Sequence, residues 1–240
     1  VTAVKRILVV RTGRPSAAVA SRFGDFGAWF ERLLAPSAAV EQADATAPLP
    51  LASRFDGILL TGSLASVTER APWMTALGHW SLAAASARPV LGVCFGHQLL
   101  AWALGARVER NPRGPEVGSR TVTLTAAGIA DPLFTGLPRS FLAPEAHEDH
   151  VARVPPGARL LASGPRTPVE AFAAGETIRA VQFHPEFDPP RSRAIVTADR
   201  AMLARSGPGG CSVAQGSVRP TPAAERVLEN WLTRFVGAAR

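Results

Sequence analysis

Between Arg88 and Arg107 the chain runs eighteen residues without Asp, Glu, Lys or Arg. A stretch of that length either spans a membrane or is buried in a folded core. This one holds Pro89, Gly92, Gly96 and Gly105 together with the polar His97 and Gln98. A turn in mid-stretch would leave backbone groups unpaired in lipid, so the segment reads as a buried strand, a tight turn and a buried helix. Gly92-Val93-Cys94-Phe95-Gly96 marks the turn. Side chains at the two glycines would crowd a chain passing sharply from strand to helix, and the central residue is pushed out from the C-terminal edge of the sheet.

Strand and helix alternate around this elbow. Residues 6–11, 55–60 and 89–93 are short apolar runs of buried-strand type. Residues 17–34 carry Val19, Phe23, Phe26, Trp29, Phe30, Leu33 and Leu34 at three- and four-residue steps, which predicts one amphipathic helix. Helices are also expected over 71–87, with Pro72 in the first turn, and over 96–104. Such alternation implies βαβ units and a mainly parallel sheet. After Gly105 the pattern changes to a loop over 111–118 and short strands near 121–125, 139–142, 160–162, 169–172 and 178–183. Turns such as Pro155-Pro156-Gly157 make these antiparallel. Residues 190–205 are expected to be helical, 206–222 a Gly- and Pro-rich loop holding Cys211, and 223–236 a final amphipathic helix. No composition break marks a second domain. The expectation is one α/β domain over 1–240, a central mainly parallel sheet flanked by helices with a smaller antiparallel region. Its core lies at about 4–187, with a loop-and-helix extension over 188–240.

The formal charge of +7 would suit a polyanionic partner. Lys5, however, is the only lysine among 26 basic residues, and the arginines are scattered without runs or interleaved aromatics. Nucleic-acid binding is therefore not expected, nor is a membrane partner. Only four apolar residues, Ile7 to Val10, separate Arg6 from Arg11, too few for a secretory core. Two cysteines far apart in sequence fit a reducing compartment and a cytoplasmic location. His147-Glu148-Asp149-His150 lacks the spacing of a helical zinc motif, so no metal site is expected. Trp73, Trp80, Trp102 and Trp231 fall in apolar helical patterns and read as core.

A cysteine on such an elbow is a candidate nucleophile. The helix N-terminus beneath it favours negative charge and offers an amide N–H to a developing oxyanion. It needs a base, and the base needs an orienting group. Five histidines are available: His79, His97, His147, His150 and His184. His184 ends the apolar run Ala180-Val181-Gln182-Phe183 and is followed two residues on by Glu186, so imidazole and carboxylate can share one loop.

Gly92-Val93-Cys94-Phe95-Gly96-His97-Gln98 together with Gln182-Phe183-His184-Pro185-Glu186 resembles the triad-type class I glutamine amidotransferases, in particular the glutaminase domain of GMP synthase and its stand-alone relatives. Thr61-Gly62-Ser63 is similar to that family's oxyanion loop. The resemblance extends to the segment around Glu116 and to Ala146-His147-Glu148-Asp149-His150-Val151. It runs from about Val4 to Phe187. It implies a flavodoxin-like class I glutaminase fold with Cys94 as nucleophile, His184 as base and acid, and Glu186 as its orienting carboxylate. The backbone amides of Gly62 and Phe95 would form the oxyanion hole. Ser63, Gln98 and the backbone near Asp149 and His150 would hold the amino-acid end of glutamine; Ser63 and His150 depart from the family's usual residues at their positions. His97 is structural on this reading, and no cofactor is implied. The substrate would be glutamine or another γ-glutamyl small molecule. With no P-loop in the sequence, the ammonia would go to a separate ATP-dependent synthetase chain. The alternative is a γ-glutamyl peptidase acting on γ-glutamyl peptides or glutathione conjugates; a third is a silent binding or regulatory protein.

Overall fold

The computed structural model describes residues 4–198, 203–205 and 210–237. Its strands are β1 (Lys5–Arg11), β2 (Ala38–Asp44), β3 (Gly57–Leu60), β4 (Val90–Val93), β5 (Val108–Arg110), β6 (Glu116–Leu124), β7 (Ser140–His147), β8 (Asp149–Val151), β9 (Arg159–Ser163), β10 (Ala171–Ala174) and β11 (Ile178–Val181). Its α-helices are α1 (Ala17–Phe23), α2 (Phe26–Leu34), α3 (Pro72–Ala85), α4 (Phe95–Ala103), α5 (Ala126–Ala130), α6 (Pro189–Ala198), α7 (Gly210–Ser217) and α8 (Pro222–Arg234).

The strands at the centre are apolar without alternation because both their faces are covered. In β1, Ile7 and Val9 pack on the side of α2 and α8, against Phe30, Leu34, Val227 and Trp231. Leu8 and Val10 pack on the other side, with Met74 and Leu77 of α3 and Leu99 and Leu100 of α4. The result is a three-layer α/β domain built on the order β2-β1-β3-β4-β11-β10-β9-β6-β7. The first five of these strands are parallel. From β11 onward each neighbour is antiparallel.

The expected fold class is therefore present, and the antiparallel strands continue the same sheet. The hinge between the two halves is β11, paired parallel to β4 on one side and antiparallel to β10 on the other. Only β5 and β8 stand apart, as a two-stranded ribbon.

Several local expectations are corrected. The single helix over 17–34 is two helices. Gly24 adopts φ +81°, which an L side chain resists, and the Asp25 side chain accepts the Ala28 N–H at 2.9 Å to start α2. The edge strand β2 was not anticipated, since Ala38-Ala39-Val40-Glu41-Gln42-Ala43-Asp44 has little apolar alternation. β6 begins at Glu116, inside the loop expected over 111–118. In the stretch expected as a loop over 206–222, Gly210–Ser217 is helical, with the backbone of Cys211 inside it. The helix expected over 190–205 is described over Pro189–Ala198; part of that expectation, residues 199–202, lies outside the described residues, as do residues 206–209.

One buried ion pair locks the end of the sheet opposite the cysteine. Arg179 of β11 donates through Nε to both carboxylate oxygens of Asp131 at 3.0 Å, while its guanidinium lies 4.7 Å from the Phe235 ring centroid. Breaking such a pair from one side strands a buried charge, at a cost of about 3–5 kcal/mol. Asp131→Ala should therefore lower the unfolding free energy by that amount, read by chemical denaturation, and Asp131→Asn should cost less because it keeps an acceptor.

Candidate active site

Cys94 joins β4 to α4 with φ +52° and ψ −102°, one of two non-glycine residues with positive φ among those described. Strain of this kind costs about 1–3 kcal/mol and persists only where packing enforces it. Here two glycines do so. A Cβ on Gly96 would lie 2.6 Å from the Leu60 carbonyl oxygen, and one on Gly92 would lie 2.6 Å from the Gly96 carbonyl oxygen. The start of α4 is thus pressed against the ends of β3 and β4. Phe95 opens that helix, so its N–H has no intrahelical acceptor.

His184 follows β11, the strand beside β4, which brings it to the elbow. Its Nδ1 is 2.7 Å from Glu186 Oε1, its ring stacks on Phe187 at 4.0 Å, and its backbone N–H donates to Pro144 O of β7. Burial works against a charged imidazole, but the Glu186 carboxylate and Cys94 outweigh it and hold the His184 pKa well above its ordinary value. Asp188, the other nearby carboxylate, caps α6 instead and pairs with Arg191 at 2.7 Å.

Gly62 sits over both groups: a Cβ there would meet His184 Cε1 at 3.0 Å and Cys94 Cβ at 3.7 Å. The peptides on either side of it are pinned. Thr61 O accepts from Gly96 N and from Thr12 Oγ1, and Gly62 O lies 2.9 Å from Thr12 Oγ1 and 3.0 Å from Thr61 Oγ1. Thr12, at the end of β1, is a residue that sequence reasoning missed. Nothing in its local pattern signals the role, which exists only once β1 and β3 lie side by side.

These groups open into a cleft of about 370 Å³. Ser63, Gln98 and Asp149 line it. Gln98 Nε2 donates to Asp149 O at 2.8 Å and to Gln182 Oε1 at 3.1 Å, and Asp149 Oδ2 accepts from Ser66 Oγ. The His150 ring turns away into the β5–β8 ribbon, with Nε2 3.8 Å from Glu109 Oε1. His97 is fully buried against Phe172, and burial drives its pKa down to about 3. The cleft's far wall holds pairings that the sequence does not show. Glu148 there pairs with Arg110 and Arg205, and Ile195 and Ala198 of α6 lie beside them. A thiol and an imidazole that meet at one glycine, with a carboxylate on the imidazole and the N–H groups of a helix start beside them, can attack a carbonyl and stabilise the resulting oxyanion.

The family model for glutamine amidotransferase class-I matches residues 23–202. The chain belongs to that family. A GMP synthase (glutamine-hydrolysing) of Aeropyrum pernix is 32% identical over 240 residues, an alignment covering 98% of this chain and 37% of that protein. Gamma-glutamyl peptidase 5 of Arabidopsis thaliana is 31% identical over 140 residues, covering 56% of this chain and 55% of the peptidase. The crystal structure of a glutamine amidotransferase from Thermotoga maritima superposes with a TM-score of 0.75 at 21% identity, over 98% of this chain and 99% of that one. This last likeness is one of fold. This amidotransferase-family chain spans well under two thirds of the length of the first two relatives. Among its described residues no helix is long and apolar enough to cross a membrane.

Because Glu186 supplies the charge that keeps the His184 imidazole protonated, Glu186→Gln leaves burial unopposed by that carboxylate. The His184 pKa should then fall, and NMR titration of the imidazole in the two proteins checks it. Asp188→Asn, altered at a carboxylate committed to Arg191, should leave that titration in place.

Proposed function

We propose that the chain hydrolyses the γ-amide of glutamine through a thioester on Cys94 and releases ammonia to a separate ATP-dependent synthetase. The observation that carries this reading is that His184, bonded to Glu186, and the strained Cys94 are gathered under Gly62. Cys94 passes its proton to His184 and its Sγ attacks the γ-carbonyl carbon, and the Gly62 and Phe95 N–H groups receive the oxyanion. His184 gives its proton to the departing nitrogen, which leaves as ammonia. The imidazole then takes a proton from water, whose oxygen attacks the thioester; glutamate leaves and the sulfur recovers its proton. Glu186 keeps the imidazole oriented and its cation stabilised. At the amino-acid end, both N–H groups of Gln98 are engaged by Asp149 O and Gln182 Oε1, so its Oε1 is the atom left to accept from a ligand's ammonium. Ser63 and the backbone at Asp149 and His150 complete that end.

A second reading is γ-glutamyl peptide hydrolysis. It is favoured by the pinned carbonyls around Gly62, which support an oxyanion loop assembled without a docked partner, and by the similarity to the Arabidopsis peptidase. Turnover of the purified chain on glutamine, a γ-glutamyl anilide and glutathione conjugates separates the two. Weak activity on glutamine beside rates on the order of 10 per second on γ-glutamyl peptides favours the second. Weak activity on all, raised by a co-encoded ligase, favours the first.

The nucleophile is tested directly. A diazo-ketone analogue of glutamine should label Cys94 and spare Cys211, as read by peptide mapping. Cys94→Ala should lower hydrolysis on the order of 10⁴-fold or more with the fold retained. Labelling of Cys211 with Cys94 untouched would sink the assignment.

A further inference from the structure

Behind the cleft wall lies a buried polar cluster that the chemistry above does not use. β6 and β7 pair Glu116 with His147, and Glu145 is two residues earlier on β7. Glu116, Glu145, His147 and Glu170 are each at most 4% exposed. His147 Nδ1 is 2.9 Å from Asp149 O, a carbonyl that can only accept, so Nδ1 carries the hydrogen. In the neutral ring Nε2 is then an acceptor, and it faces Glu145 Oε2 at 3.3 Å and Glu116 Oε2 at 4.0 Å. No N–H or hydroxyl group donates to either oxygen of Glu145 or to Glu170 Oε2, which leaves the two carboxyls to each other and to His147. Glu116 is satisfied separately, by the hydroxyl of Thr167. An acceptor nitrogen facing a carboxylate is repulsive unless a proton lies between them, so the contact requires the acid form of Glu145 or a charged ring.

We propose that Glu145 is a positioning residue held as a neutral acid, whose O–H donates to His147 Nε2. It thereby fixes the tautomer that clamps the Asp149 carbonyl at the amino-acid end of the cleft. This rests on the reading that the cleft takes a γ-glutamyl substrate. The clamp is shared, since Gln98 Nε2 donates to the same carbonyl. The balance of nearby charge agrees. Burial, then the negative charge of Glu116, pushes the Glu145 pKa up to about 8. The Glu170 carboxyl, within hydrogen-bonding reach of Glu145, is raised as well, chiefly by burial. Burial likewise pushes His147 down, against the pull of the surrounding carboxylates. The opposing influences on Glu145 are the hydrogen bond with Glu170, then the positive charges of His184, after β11, and of Arg120, on β6; the charge of His184 also disfavours a charged His147 ring. The acid is raised in the folded state, so the clamp is complete below pH 8 and is lost as pH rises through that value.

The test is the pH dependence of KM and kcat for glutamine and a γ-glutamyl anilide in wild type, Glu145→Gln and Glu145→Ala, on both sides of pH 8. In wild type KM should rise about tenfold above that pH, the factor to which one hydrogen bond corresponds. Glu145→Gln keeps an N–H donor that does not titrate, so its KM should stay low throughout. Glu145→Ala should show the raised KM already at neutral pH. Nitrogen-15 NMR of histidine-labelled protein reads the clamp without turnover: His147 should be an Nδ1–H tautomer below pH 8, altered above it in wild type and unaltered in Glu145→Gln. An Nε2–H tautomer in wild type, or the same alkaline rise in KM in Glu145→Gln, overturns the proposal. Hydrolysis surviving in Cys94→Ala would overturn the reading of the cleft instead, and the tautomer of His147 would still decide the clamp. Should Glu145→Gln fail to fold, the wild-type tautomer alone decides.

Discussion

The backbone of Cys94 is held where an L-residue resists going, and most of the architecture serves to hold it there. β4 must end at Val93 and α4 must begin at Phe95, with Cys94 alone between them to make the turn. That is possible only because Gly92 and Gly96 let helix and strand backbones approach to distances that a methyl group would forbid. The unbroken apolar layers on either face of β1, β3 and β4 supply the stiffness against which the turn is strained. Strain kept at a reactive group persists when the surrounding packing is this dense.

The cleft is a meeting of distant parts rather than a local motif. β1 brings Thr12 to pin the peptides beside Gly62, β11 brings His184 alongside Cys94, and β7 accepts the His184 backbone N–H through Pro144 O. In the strand order β7 lies at the far edge of the sheet, four steps from β11. That hydrogen bond ties the segment after β11 to the far edge strand. The segment after β11 closes the far wall, with Ile195 and Ala198 of α6 beside Arg205.

Much of this was legible in the sequence, and the limits of legibility have physical causes. The elbow was readable because a strand-to-helix turn needs glycine at fixed places, and the pairing of His184 with Glu186 because both lie in one short loop. The parallel half was readable because fully buried strands are apolar throughout. The break at Gly24-Asp25 was hidden by apolar residues that keep helical spacing across it. β2 was hidden because an edge strand with one solvated side carries no alternation strong enough to see. The roles of Thr12 and of the Glu148–Arg205 contact depend on pairings between remote segments, which no local pattern encodes. The His147 segment was recognisable, but that its ring turns inward among three glutamates while His150 turns out to Glu109 is set by the register of β6 on β7 and of β5 on β8.

The placement of β11 beside β4 has a consequence in time. Cys94 precedes His184 by about ninety residues, so a ribosome adding roughly 5–20 residues per second makes the thiol several seconds before the imidazole that faces it. Until β11 slides in next to β4, the elbow has neither its proton carrier nor the Glu186 charge behind it. The newborn chain thus carries its most reactive sulfur in an unarmed form, and arming it is the same event as completing the sheet.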